Sequence, residues 1–110
     1  MTDLELARAY VSKAQSSRSR NIPFELSFAE YKRLRSCKTC KLSGLKLSKD
    51  TFSLDRLNSK LGYVKGNVIA CHISINNLKG TIEDPCTELS LELCTKALSK
   101  AVQLIKERKL

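Results

Sequence analysis

Between Ser53 and Gly80 the chain brings together a carboxylate (Asp55), a guanidinium (Arg56), an imidazole (His72) and a series of side-chain amides (Asn58, Asn67, Asn76 and Asn77). Carboxylate and amide oxygens hold hard divalent cations, and an imidazole binds metals and moves protons near neutrality. His72 is the only histidine in the sequence. Any mechanism that needs two histidines from one chain is therefore excluded. Upstream, Cys37-Lys38-Thr39-Cys40 has the spacing of a zinc knuckle. The same pair also reads as two small apolar side chains in a tight turn.

Periodicity predicts the elements that must position these groups. Phe52 and Leu54 alternate with Ser53 and Asp55, a strand pattern over 52–57 that fails at Arg56 and Leu57. Residues 58–67 are turn-rich, and Val68-Ile69-Ala70-Cys71 reads as a second, buried strand. Ile73 to Leu78 suits a short helix ended by Gly80. Before this centre, Leu4, Ala7, Val11 and Ala14 predict a helix over 3–15, with Leu6 and Tyr10 on its flank and Asp3 and Glu5 in its first turn. The polar, basic residues 16–21 then form an exposed connection. Ser27 and Glu30 fit a capping box that opens a second helix facing inward through Phe28, Tyr31 and Leu34. After the centre, Leu91, Cys94, Leu98, Ala101 and Ile105 form one helical stripe, with Lys96, Lys100, Lys106, Arg108 and Lys109 around it. Asp84-Pro85 marks the approach to that helix and Glu88 supplies negative charge at its start, while Cys86 and Cys94 read as structural.

The ordered set Asp55-Arg56, Gly66-Asn67, Cys71, Asn76 and Lys79, preceded by Cys-x-x-Cys, resembles phage-type members of the HNH (ββα-metal) endonuclease family. The likeness includes the N-terminal helix, the basic connection and Ile22-Pro23-Phe24-Glu25-Leu26-Ser27, and covers residues 4–82. It implies an α+β fold: a small ββα-metal (HNH-like) core with an N-terminal helical segment and a long C-terminal helix. The whole reads as one domain over 1–110, with N-terminal helices in 1–35, the core in 36–80 and the last helix in 86–109. By position, Asp55 matches the family's acidic metal ligand and Asn76 its helix-borne metal ligand. Asn67 matches the asparagine that ties the loop between the strands, and Lys79 would face phosphate. Mg²⁺ or another divalent cation is the implied cofactor, with an ordinary strand end, turn residue or solvated helix face as the plainer account of each position.

Arg56 departs from the common pattern. It stands where most members place the histidine general base, giving Asp-Arg in place of Asp-His. A guanidinium does not take a proton from water near neutrality, although it can clamp a phosphate or steady transition-state charge. His72 is the one replacement the chain offers. If Asp55 pairs opposite Ala70, residues 55, 70 and 72 share a face, and Asn76 follows His72 by one helical turn. Asp55, His72 and Asn76 then converge, with His72 as base or third ligand; in another register it is a surface histidine. A structural Zn²⁺ on Cys37 and Cys40 lacks the second Cys-x-x-Cys of several HNH families, whose matching positions here are His72 and Ile75. Adding Cys71 and His72 would force adjacent residues onto one ion.

The 110 residues carry 20 Lys and Arg against 11 Asp and Glu, a net charge of +9. Such an excess favours a polyanion, because each neutralised phosphate releases counterions. Arg18, Arg20, Lys60, Lys65 and Lys79 are the candidate contacts, with DNA the first partner and RNA the second. The start of the chain lacks a basic n-region and no apolar run approaches a spanning length, so neither export nor membrane insertion is expected. Five cysteines, an odd count, argue for a reducing compartment, the cytoplasm or, for a viral protein, the host cell's. Two functions follow from these residues, beside a third, a zinc-stapled structural module. One is a metal-dependent endonuclease that hydrolyses phosphodiester bonds in DNA. The other is a catalytically inactive protein of the same fold, such as a viral factor, that binds nucleic acid or a protein partner.

Overall fold

The computed structural model describes residues 1–83 and 90–108. Its two compact units are Met1–Asn76 and Asn77–Leu110. Asp84, Pro85, Cys86, Glu88 and Lys109 lie outside the described residues, and with them the expected approach to the last helix.

In the first unit the Thr2 hydroxyl accepts from the Glu5 amide at 3.2 Å, and the Glu5 carboxylate reaches back to the Thr2 amide. This reciprocal cap starts α1, Asp3–Ser19. The helix continues four residues beyond the expected end, because Ser17 is fully buried and its hydroxyl bonds the Lys13 carbonyl at 2.8 Å. The buried stripe also differs from the expected one. Leu6, Ala14 and Ser17 face inward with Tyr10 beside them, whereas Leu4 and Val11 are exposed. Tyr10 explains the rotation: its ring meets Phe24, Phe28 and Tyr31 edge-on, and its hydroxyl donates to the Leu26 carbonyl.

Ser27 caps α2, Phe28–Arg35, by accepting from the Glu30 amide at 3.1 Å, and Tyr31 and Leu34 are buried beneath it. Strands β1, Phe52–Arg56, and β2, Val68–His72, form a two-stranded antiparallel sheet. Leu54 and Val68 join Leu6, Phe24, Leu26, Tyr31, Leu34 and Tyr63 in one core, so one sheet face rests on the N-terminal helices. Helix α3, Ile73–Glu83, follows β2 directly and runs through Gly80, the residue expected to end it. In the second unit α4 spans Leu91–Arg108. The fold is thus mixed α+β, with four helices and one two-stranded sheet among the described residues. No helix among them is long and apolar enough to cross a membrane.

Candidate functional site

The strand register decides which side chains meet. Asp55 pairs with Ile69 and Ser53 with Cys71, one residue away from the expected match of Asp55 with Ala70. Side chains alternate faces along a strand, so this single step moves a whole set across the sheet. Ser53, Asp55, Ile69 and Cys71 share one face; Phe52, Leu54, Arg56, Val68, Ala70 and His72 share the other. The expected convergence of His72 with Asp55 on one face is not formed. The His72 ring instead accepts a hydrogen bond from the Ser74 amide through Nδ1 at 3.1 Å, at the start of α3.

Asp55 is only 3 % exposed. A carboxylate is costly to take out of water, so position 55 is not an ordinary strand end. From α3, the Asn76 side-chain amide donates to the Ser53 hydroxyl at 2.7 Å. Because Ser53 and Asp55 are two residues apart on the same strand face, this bond sets Asn76 over the face that holds Asp55. The Ile73 amide, bonded to the Thr51 carbonyl at 2.8 Å, fixes the helix entry beside β1. Ser53 was not singled out in the sequence, where a serine in an alternating strand gives no signal.

Asn67 closes the loop between the strands. Its Oδ1 accepts from the Asn58 amide at 2.9 Å, and its Nδ2 donates to the carbonyls of Asn58 at 3.1 Å and Gly62 at 2.9 Å. The loop is also fixed from outside, since the Tyr63 amide bonds the Pro23 carbonyl at 2.8 Å and the Glu25 amide bonds the Tyr63 carbonyl at 2.9 Å. A Cβ on Gly62 would stand 2.3 Å from the Pro23 oxygen, so only glycine fits there.

Arg56 lies on the opposite strand face from Asp55. Its Nη1 donates to the carbonyls of Ser59 at 3.0 Å and Leu61 at 3.1 Å, and the guanidinium lies 5.3 Å from the centre of the Tyr63 ring. Lys13 and Arg20 also reach Tyr63. Burial raises the phenol's pKa, but the hydrogen bonds and charges of Lys13, Arg20 and Arg56 outweigh it and hold the group below its usual value. The end of α1 and the β1–β2 loop therefore form one basic region, with Arg18, Lys60 and Lys65 exposed on the same two segments. Lys13, inside the predicted first helix, gave no sign of this role. Lys79 belongs to the second unit and pairs with Glu83 one turn along α3.

The two cysteines of the knuckle motif part company. Cys37 is exposed, and its thiol donates to the Arg33 carbonyl at 3.7 Å. Cys40 is buried, and its Sγ lies 3.5 Å from Sγ of Cys71. A proton on either sulfur would make this contact. Burial disfavours the Cys40 thiolate, yet the Ser43 hydroxyl and the amides of His72, Ser43 and Leu42 overcome that and draw its pKa to about 6. Burial pushes Cys71 up to about 12, helped by the bond to Cys40 and the charges of Cys40 and Asp55. The donors around Cys40 therefore favour negative charge on that sulfur rather than on Cys71. Among the described residues no three His, Cys, Asp or Glu side chains gather as a metal cluster, and Cys37 and Cys40 have different surroundings. Asp55 and Asn76 are the oxygen donors that could hold a hard divalent cation. Mg²⁺ takes one or two protein oxygens and keeps most of its waters.

Compared with known families, with curated proteins and with solved structures, the chain matches none.

Proposed function

We propose that the protein is a divalent-metal-dependent endonuclease of the HNH (ββα-metal) type, acting on DNA, with Asp55 and Asn76 as the ion's ligands. The observation that carries this reading is the Asn76–Ser53 bond, which sets the helix amide over the strand face of the buried Asp55. A Mg²⁺ or similar ion held there would neutralise charge on the phosphate and supply an acidified water, work otherwise left to a histidine. Asn67 keeps the intervening loop closed so that Asp55 stays in place, and Arg20, Lys60 and Lys65 hold the polyanion by charge. The test is cleavage of supercoiled and single-stranded DNA with Mg²⁺ or Mn²⁺ against an EDTA control. Metal-dependent nicking is expected; no cutting of any DNA or RNA substrate would end the enzyme reading.

A second reading has an observation of its own. The chain's single histidine sits on the sheet face opposite Asp55, and Arg56 is bonded into the loop. A scaffold that binds nucleic acid or a protein partner, for instance a viral factor, needs neither a base nor an ion. Retained DNA binding without cleavage would select it.

A further inference from the structure

We propose that Cys40 and Cys71 are a dithiol–disulfide pair, oxidised within one chain by a hydroperoxide to a bond that staples the 37–47 turn to β2. The pair is independent of the nuclease reading. The two sulfurs lie 3.5 Å apart although 31 positions separate them in sequence. A disulfide needs about 2.05 Å, so closure requires a shift of roughly 1.5 Å. The backbone beside the two cysteines is already joined. The Lys41 amide bonds the Ala70 carbonyl at 3.0 Å, which joins the neighbour of one cysteine to the neighbour of the other.

The turn itself is well built. Thr39 bridges Lys46, the Leu47 amide bonds the Lys38 carbonyl at 2.8 Å, and the Cys40 amide bonds the Leu45 carbonyl at 2.7 Å. Gly44 completes it at a φ of +77°. Residues 41–46, which follow Cys40 in the turn, are all exposed, while Cys40 itself is 2 % exposed. The amides and hydroxyl aimed at Cys40 favour its thiolate, the form that attacks an oxidant.

The chemistry balances with hydrogen peroxide as the two-electron oxidant. The Cys40 thiolate attacks one peroxide oxygen, forming an S–O bond as the O–O bond breaks and hydroxide leaves. The Cys71 sulfur then attacks Cys40, forming the S–S bond as the S–O bond breaks, and its proton departs with the hydroxyl as water. Two electrons pass from sulfur to peroxide.

The test uses the full chain with Cys37, Cys86 and Cys94 changed to Ser. One equivalent of hydrogen peroxide should remove both remaining thiols, lower the mass by two hydrogens and raise the melting midpoint, all reversed by dithiothreitol. Adding Cys71→Ser should abolish the mass loss and leave a sulfenic acid on Cys40 that dimedone traps. Peptide mapping of oxidised wild type without reductant should find the Cys40–Cys71 link, whatever the variants' folding. Persistence of both thiols, or a disulfide mapped to another pair or between chains, would overturn the proposal.

Discussion

At Asp55 and Asn76 the proposed activity rests on two oxygen donors, and their loss should separate cutting from binding. Asp55→Ala and Asn76→Ala are each expected to lower metal-dependent cleavage by about 10²-fold or more, the scale on which metal-site partners act. Affinity for DNA in EDTA should change little. Asn76→Asp keeps an oxygen for the ion and should retain part of the rate. His72→Ala should stay within about threefold of wild type, whereas a general base would cost 10²–10⁴-fold; a loss of that size would return His72 to the mechanism. The thiol pair makes a separate prediction in pH. Cys40 is depressed to about 6 from 9.0, so its ionisation adds stability as pH rises from about 6 and is complete above about 9. Cys71 is raised to about 12, so its contribution holds below 9 and is lost as pH climbs through 12. Urea midpoints under reductant should therefore rise between pH 6 and 9 in wild type and lose that rise in Cys40→Ser. Equal slopes in the two proteins would show that the sulfurs do not share a proton in this way.

The hairpin and its loop behave as one element, and Asn67 is the side chain that closes it. Asn67→Ala would leave the carbonyls of Asn58 and Gly62 and the Asn58 amide without their partner, a cost of about 3 kcal/mol in unfolding free energy. Asn67→Asp is nearly the same size but aims a carboxylate at two carbonyls, so chemical denaturation should find no rescue. If Asp restores stability, the donated bonds are not what holds the loop. How far the sequence reveals this element depends on the strand. In β1 the alternation of Phe52 and Leu54 with Ser53 and Asp55 gives both strand and phase. In β2 Val68, Ile69, Ala70 and Cys71 are apolar on both faces, so the pattern marks a strand but carries no phase. The register is instead set by the loop, where the Leu57 amide bonds the Asn67 carbonyl at 2.8 Å. The strand pattern does not contain that closure, so alternation alone puts His72 on the face of Asp55. The Cys40–Cys71 contact was illegible for a similar reason, since it depends on a turn docking onto β2 rather than on spacing.

Over the whole molecule, the positive charge is unevenly shared. Residues 1–76 hold 14 of the 20 Lys and Arg and 6 of the 11 Asp and Glu, so that unit carries +8 of the net +9. The remaining unit is close to neutral, even though Lys96, Lys100 and Lys106 are exposed along α4. A polyanion responds to the summed field as well as to single contacts, and the first unit is where that field is strong. Binding should therefore fall steeply with salt. With about four phosphates neutralised, raising salt from 50 to 200 mM should weaken DNA binding about 10²-fold. Changing any one of Arg18, Arg20, Lys60 or Lys65 to Ala should lower the slope of log K against log salt by about 1, and do so alike on different sequences. Changing Lys96, Lys100 and Lys106 together should leave that slope nearly unaltered. Fluorescence anisotropy on one labelled duplex across a salt series measures all of these. An affinity that does not move with salt would exclude phosphate contacts as its source. A slope lost with the α4 lysines instead would assign the nucleic-acid surface to the second unit rather than to the unit that contains Asp55, and would count against the nuclease reading as well.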